Sequence, residues 1–167
     1  MASPVLIIHE RLGIWARHMR PRFVEGSARV METRSTDDLV SALERAKSPF
    51  PVVLIDLAGR IRAGLDDLAS ALEIEPDSLV LVLDPASAAG VAALARELGA
   101  THVISGSVTP PVVYRVLSRW LTLASRRAES AGWTPVPPKA PEPEPWNWLN
   151  PLLEAETADQ GSPRKGA

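Results

Sequence analysis

The sequence predicts one α/β domain: a doubly wound, five-stranded parallel sheet covered by helices on both faces. Two observations predict it. Short runs of β-branched and apolar residues alternate with segments of helical periodicity, five times over. Several of these runs have no polar interruption, which indicates strands buried on both faces. Strands that alternate with helices form βαβ units with right-handed crossovers, so we expect all the strands to run parallel.

The predicted strands are the short apolar runs, and the first predicted helix follows the first of them. The clearest strand, Val52-Val53-Leu54-Ile55, leads directly into Asp56. In chain order the strands cover residues 4–8, 28–33, 52–55, 78–83 and 102–104. The first helical pattern covers residues 11–23, and we expect it to kink or end near Pro21 because proline cannot continue a helix interior. Its apolar positions are Leu12, Trp15, Met19 and Phe23.

The other four helices have recognisable ends. Ser35, with Asp38 three residues later, is expected to cap the second helix. The third covers residues 61–72, and the fourth starts near Ser87 and is capped by Gly99. Thr109 caps the last helix, residues 110–130, whose prolines lie in the first turn, where they are tolerated. The apolar positions of the second, fourth and last helices are Leu39, Ala42, Leu43, Ala46, Val91, Leu94, Leu98, Val113, Val116, Leu117, Trp120, Leu121 and Ala124.

Composition excludes several classes of function. The formal net charge is −2, from 18 basic and 20 acidic residues, so charge gives no case for a nucleic acid or an anionic membrane as partner. There are no cysteines, which excludes disulfide frameworks, thiolate zinc sites and cysteine nucleophiles. The N-terminal apolar run lacks a basic leader and is too short to span a membrane, so we expect a cytoplasmic protein. No catalytic motif is evident, and the expectation is that the protein is not an enzyme.

Polar residues follow the predicted strands where a doubly wound sheet forms its sites, beyond the carboxyl ends of the strands. They are His9, Glu10, Asp56, Asp84 and residues 105–107. Three carboxylates that converge on one edge would bind a hard divalent cation, and without a cation they would raise one another's pKa.

Each of these residues also has a purely structural interpretation. Asp56 would then cap a turn, and His9 would be a partly buried, hydrogen-bonded histidine. Glu10 would be solvated or would favour the dipole of the helix that it precedes. Asp84 would be a turn residue, and residues 105–107 would form a plain loop rather than an anion cradle.

The order of elements resembles the receiver domain of response regulators over about residues 4–126. The residues that carry the resemblance are Leu54-Ile55-Asp56-Leu57 at the third strand and Leu98-Gly99-Ala100 before the fifth. The resemblance implies the CheY-like, flavodoxin-like strand order 2-1-3-4-5 and a role in two-component phosphorelay signalling. It also implies that Asp56 is the phosphoacceptor, and that Glu10 and Asp56 bind magnesium if Asp56 is phosphorylated; no other cofactor is implied.

The sequence departs from the receiver pattern at three places. His9-Glu10 stands where the family has an acidic pair, Asp84 where it has Ser or Thr, and residues 105–107 where it has Lys. We expect a carboxylate at position 84 to repel a phosphoryl group on Asp56, and the missing lysine to remove its charge partner. These departures predict a degenerate receiver, or pseudo-receiver, that acts by protein–protein interaction without normal phosphorylation switching. The alternative is a phosphoacceptor that uses Asp56.

The composition changes abruptly at the end of the predicted domain, residues 1–131. Residues 132–145 are a Pro-rich spacer, and residues 155–167 are polar and expected to be disordered. Between them, residues 146–154 predict a docking motif for a groove on another protein. The open alternative is packing on the chain's own domain, and membrane insertion is disfavoured by the lack of adjacent Lys or Arg. The expected partner-binding residues are Trp146, Trp148, Leu149, Leu152 and Leu153.

Overall fold

A computed structural model describes residues 4–23, 27–46 and 48–132. This part of the chain contains one five-stranded sheet in the order β2-β1-β3-β4-β5, with every neighbouring pair parallel. The strands are β1 (Val5–His9), β2 (Arg29–Thr33), β3 (Val52–Asp56), β4 (Leu79–Asp84) and β5 (His102–Ser105). The predicted fold class and strand order are therefore confirmed, whereas the predictions for residues 133–167 lie outside the described residues.

Five α-helices connect or follow the strands of this sheet. They are α1 (Ile14–Met19), α2 (Thr36–Ala46), α3 (Ile61–Ile74), α4 (Val91–Glu97) and α5 (Pro110–Ser130). The helices α2, α3 and α4 contribute to the core on one face of the sheet, and α1 and α5 contribute to the core on the other face. Within the three described ranges, no helix is both long enough and apolar enough to cross a membrane.

Burial on both faces explains the uninterrupted apolar strands. The residues of β3 from Val52 to Ile55 are all 0% exposed. Because side chains alternate along a strand, Val53 and Ile55 pack towards α2, α3 and α4, whereas Leu54 packs towards α1 and α5. The same alternation applies to β1 and β4, so the apolar runs in the sequence are the middle layer of a three-layer structure.

The first helix is shorter than predicted at both ends. It stops at Met19 and continues as a 3-10 turn, Arg20–Arg22, which contains the proline that was expected to end it. It starts at Ile14 because Gly13 has φ +69°, a left-handed conformation that interrupts the helical pattern. Leu12 lies before this start and is 66% exposed, so its assignment to the buried stripe was wrong.

The fourth helix also starts later than predicted, at Val91 rather than near Ser87. The backbone between them turns instead, with φ +50° at Ser87 and φ +78° at Gly90. The buried positions of α4 are Val91 and Ala95, and Leu94 is 44% exposed, which corrects its predicted place in the apolar stripe. The predicted glycine cap is confirmed, since Gly99 follows the helix with φ +105°.

The cap of α2 is as predicted. The Asp38 N–H donates to Ser35 Oγ at 3.2 Å, and the Ser35 N–H donates to Asp38 Oδ2 at 3.3 Å, which is the reciprocal pattern of a capping box. The hydrogen bond with Ser35 holds the pKa of the Asp38 carboxyl below its usual value. Two backbone donors at the helix start are satisfied in this way.

Replacing the capping serine tests this helix start. Ser35→Ala removes the acceptor for the Asp38 N–H and should lower the free energy of unfolding by about 1 kcal/mol. Ser41→Ala is the matched control, because Ser41 is exposed in the middle of the same helix, where alanine is the better helix former. Urea unfolding followed by circular dichroism measures both changes. Equal midpoints for the two variants would contradict the capping role.

Candidate functional site

The carboxyl ends of the strands bring the predicted site residues to one edge of the sheet but divide them between its two faces. Asp56 is in register with Leu83, whose side chain belongs to the core under α1 and α5, so Asp56 points to that face. His9 and Asp84 follow Ile7 and Val82 in the alternation and therefore point to the face covered by α2, α3 and α4.

Glu10 caps α1 from inside the protein. Its side chain is 1% exposed, and its two carboxylate oxygens accept hydrogen bonds from the N–H groups of Trp15, at 2.8 Å, and Ala16, at 2.6 Å. Free N–H groups and the helix dipole make a helix start a favourable place for a carboxylate. Of the two structural interpretations, the helix N-terminal acid is therefore confirmed and the solvated residue is wrong.

Asp56 is half-buried at the end of β3. Its Oδ1 accepts a hydrogen bond from the Ala58 N–H at 3.1 Å, so it caps the following turn, as its structural interpretation predicts. Burial, together with the negative charge of Glu10, raises the pKa of the Asp56 carboxyl, although the Ala58 N–H acts in the opposite direction. Asp56 is therefore a partly desolvated carboxylate beside a second one.

Asp84 is fully buried and organises two connections. Its Oδ2 accepts from the Ala88 N–H at 3.0 Å, and its carbonyl oxygen accepts from the N–H groups of Ser87, at 3.1 Å, and Gly106, at 2.8 Å. Its turn interpretation is confirmed. The expected repulsion between position 84 and a group on Asp56 does not follow from this arrangement, because the two side chains point to opposite faces and the charge that raises the Asp56 pKa is that of Glu10.

The stretch 105–107 is an ordinary loop. Ser105 ends β5 and is exposed, and Gly106 has φ +84°, a conformation that favours glycine. The Gly106 N–H, which an anion cradle would need, already donates to the carbonyl of Asp84. The stretch itself contains no positively charged residue that could attract an anion.

His9 belongs to a buried polar network that connects four elements. Its Nε2 lies 2.9 Å from Asp67 Oδ2 on α3, and its Nδ1 lies 2.9 Å from Thr33 Oγ1 on β2. Asp67 also accepts from Thr36 Oγ1 at 2.5 Å and from Arg60 Nη2 at 3.0 Å. The hydrogen-bonded interpretation of His9 is confirmed, and its burial is complete, at 2% exposure.

Sequence reasoning missed Asp67 and Arg60. The available signal was the position of Asp67 on α3, three residues after Gly64 and four before Ala71, both of which are buried. An acidic residue on the apolar stripe of a helix indicates a buried partner. The partner itself, 58 residues away in sequence at His9, could not be identified from a helical pattern.

The order hydroxyl, imidazole, carboxylate in Thr33, His9 and Asp67 is that of a nucleophilic triad. The geometry does not support catalysis, because Thr33 is 3% exposed and its hydroxyl cannot meet a substrate. These side chains satisfy one another instead. The network is therefore a structural feature beside the strand ends.

The magnesium site implied by the resemblance does not fit this arrangement. Both oxygens of Glu10 are engaged by the start of α1, and the residue before it, His9, faces Asp67 on the other side of the sheet. In residues 4–23, 27–46 and 48–132, no group of three or more His, Asp or Glu side chains is placed to hold a metal ion. Hard cations need several oxygen ligands, and this edge presents only part of such a set.

Comparison with known proteins shows a likeness of structure alone. No family model and no curated protein sequence matches the chain. A CheY-like receiver domain protein from Methanospirillum hungatei is 12% identical, with a TM-score of 0.63 over 75% of this chain and 99% of that chain. A response regulator from Thermotoga maritima is 15% identical, with a TM-score of 0.60 over 72% of this chain and 99% of that chain.

A third solved structure is a response regulator protein from Burkholderia pseudomallei with a phosphorylated aspartic acid, a calcium ion and citrate. It is 19% identical, with a TM-score of 0.58 over 93% of this chain and 86% of that chain. Identities this low show the fold, which is the CheY-like receiver fold.

The raised pKa of Asp56 predicts a pH-dependent gain of stability on its removal. A carboxyl whose pKa is raised by folding favours the folded state only while protonated, and this contribution is lost as pH rises through the raised pKa. Asp56→Asn should therefore raise the melting temperature by a few degrees at neutral pH, and the gain should shrink as pH falls towards the usual aspartate pKa. Thermal unfolding across pH measures it, with Asp66→Asn on the exposed side of α3 as control. A lower melting temperature for Asp56→Asn at pH 7 would contradict the prediction.

Proposed function

We propose that this domain of CheY-like receiver fold is a signalling or adaptor module that acts by protein–protein interaction, without normal phosphorylation switching. The observation that carries the proposal is the position of Glu10. Glu10 is 1% exposed, and its two carboxylate oxygens accept hydrogen bonds from the N–H groups of Trp15 and Ala16. A residue fixed in this way stabilises a helix and is poorly placed to hold a cation.

The charges around Asp56 support the same proposal. A phosphoryl group would add about −1.5 to −2 charges at neutral pH. The nearby ionisable group that acts on Asp56 is the negative Glu10, and within the described residues Asp56 forms no salt bridge with Lys, Arg or His. Ser105, in the place of the family's lysine, has no charge to supply. Phosphorylation would therefore add negative charge where the described chain has little to compensate it.

Exposed apolar side chains on α5 support the last helix as one surface for a partner. Val112 is 43% exposed and Leu123 is 39% exposed, although the helix buries Val113, Leu117 and Leu121. A single exposed apolar residue needs no explanation, but two on the helix that completes the domain make it a reasonable contact surface. The proposal places the protein in the cytoplasm and gives it no catalytic activity.

The second proposed contact is the Trp/Leu motif, residues 146–154, which the proposal assigns to a groove on another protein. Two tryptophans and three leucines within it, Trp146, Trp148, Leu149, Leu152 and Leu153, are side chains that anchor short motifs in such grooves. The Pro-rich stretch before it would act as an extended spacer of about 3.1 Å per residue.

One specific observation favours a second function, that of a phosphoacceptor using Asp56. The carboxylate stands at the end of β3 and is only half-buried, so a small phosphodonor can approach it. Incorporation of phosphate from such a donor, abolished in Asp56→Asn, would establish this function. Magnesium dependence of the incorporation would show that Glu10 can leave its place at α1.

A phosphoryl mimic tests the absence of switching. With beryllofluoride and magnesium added to the full chain, we expect only small changes in the amide NMR shifts around Asp56, because Glu10 is committed to α1 and no lysine is present. Asp56→Ala under the same conditions is the control for non-specific effects. Large shifts at the ends of β3, β4 and β5 that vanish in Asp56→Ala would contradict the proposal.

A peptide of residues 142–155 tests the Trp/Leu motif. Immobilised peptide should retain a protein partner, and Trp146→Ala or Trp148→Ala should reduce the retained amount on the order of tenfold or more, as for anchor residues of an interface. Asn147→Ala, between the two tryptophans, is the matched control and should retain the partner. Equal retention by all the peptides would remove the motif from the proposal.

A further inference from the structure

We infer that the His9–Asp67–Arg60 network is an internal latch, which holds the loop after Asp56 in one conformation without any bound ligand. We define the latch by its five residues, His9, Thr33, Thr36, Arg60 and Asp67. It lies beside the strand ends, on the face opposite the Asp56 side chain. The inference goes beyond the proposed partner function, because it concerns the resting conformation of the protein by itself.

The centre of the latch is a buried carboxylate. Asp67 is 1% exposed, and its oxygens accept from His9 Nε2 at 2.9 Å, Thr36 Oγ1 at 2.5 Å and Arg60 Nη2 at 3.0 Å. An ionised carboxylate at this depth is costly unless it is paired and hydrogen-bonded. The three donors come from β1, α2 and the residue before α3, so the requirement of one carboxylate brings three separate segments together.

Arg60 connects the latch to the loop after Asp56. Its Nη2 donates to Asp67, and its Nη1 donates to the carbonyl oxygen of Arg34 at 3.0 Å, in the connection between β2 and α2. Its own N–H donates to the carbonyl oxygen of Leu57 at 3.0 Å. Residues 57–60, which directly follow Asp56, are therefore closed into a turn and fixed at their far end to two other elements.

His9 connects the latch to the middle of the sheet. Because the carboxylate of Asp67 can only accept, His9 Nε2 carries the proton of that hydrogen bond, and the Thr33 hydroxyl completes the other side of the ring. Its hydrogen bond to Asp67 ties the end of a central strand to α3. The guanidinium of Arg60, a part of the chain, supplies a positive charge to this region.

The latch raises the free energy that is needed to move the loop after Asp56. Opening it would separate Arg60 from Asp67 and leave a buried carboxylate with one donor fewer, and removing one partner of a buried charged pair is strongly unfavourable. Arg60 itself is only partly buried, with a side-chain exposure of 23%. Water can therefore reach the arginine in a local opening, which makes hydrogen exchange a suitable measurement.

Native-state hydrogen exchange of the full chain tests the latch through Arg60→Gln. The amides of Ala58 and Arg60 in the loop should exchange about tenfold faster or more, since a hydrogen bond to a charged group is lost. The same is expected of the Leu39 amide, which donates to the carbonyl oxygen of Ser35, next to the Arg34 carbonyl that Arg60 holds. The amides of Leu54 and Leu81, in the centre of the sheet, should keep their protection. Arg62→Gln is the matched control, because Arg62 is exposed two residues later and should leave all five amides unchanged.

A second variant keeps the test decisive if Arg60→Gln unfolds the protein. Arg60→Lys keeps the positive charge, but a single ammonium group replaces the two guanidinium nitrogens that donate to Asp67 and to the Arg34 carbonyl. The fold should therefore persist while the amides of Ala58 and Arg60 exchange faster. Loop amides as slow in both Arg60 variants as in Arg62→Gln would overturn the latch. Equal acceleration at Leu54 and Leu81 in Arg60→Lys would also overturn it, because the network would then be part of global stability only.

A third measurement compares hydrogen exchange with and without magnesium ions. In the wild-type protein, exchange of Ala58 and Arg60 should be the same with and without millimolar magnesium, because the loop is already held. Slower exchange on addition of magnesium would show that a cation organises the loop and would overturn the inference. These outcomes are independent of the partner proposal, since no partner is present in the measurement.

Discussion

Three carboxylates are buried at or beside the carboxyl ends of the sheet and need donors from the protein itself. Five of their six oxygens accept a hydrogen bond, and Asp84 Oδ1 has no partner among the described residues. Glu10 and Asp67 are 1% exposed, and Asp84 is 0% exposed. A buried carboxylate without partners would cost several kcal/mol. The start of α1, the turn before α4 and the loop before α3 each supply N–H or guanidinium donors to one of them. The arrangement of these connections follows from that requirement.

Asp56 differs from the other three carboxylates at this edge, which are buried inside the domain. It is the half-exposed carboxylate of this edge, its pKa is raised mainly by burial, and its charged neighbour is Glu10. Two donors act on its carboxylate, the Ala58 N–H and the side chain of Trp15, and neither carries a charge. A solved response regulator with a phosphorylated aspartic acid shares this fold, but here the groups beside Asp56 are tied into the structure of the domain. Two proteins can therefore share this fold and differ in the chemistry at the carboxyl edge of the sheet.

The polar side chains at the carboxyl edge of the sheet are divided between its two faces. On the side of α1 and α5 lie Asp56 and Glu10, and on the side of α2, α3 and α4 lie His9 and Asp67. Asp84 points to the same face as His9. Side-chain alternation makes this division, because neighbouring positions in a strand point to opposite faces. A site that needs several groups on one face is consequently reduced to two carboxylates, while the opposite face carries a closed polar network.

The sequence by itself determined the features that depend on local pattern. Uninterrupted apolar runs located the strands, Ser35 and Asp38 located the start of α2, Pro21 limited α1, and Asp56 was placed at the end of β3, because periodicity, caps and proline act within a few residues. Only the tertiary structure decided the partners of the buried polar groups. His9 meets Asp67 across 58 residues, Glu10 turns inward to α1, and Asp84 points away from Asp56. These outcomes depend on which elements the crossovers bring together and on which face each side chain occupies, and a local pattern records neither.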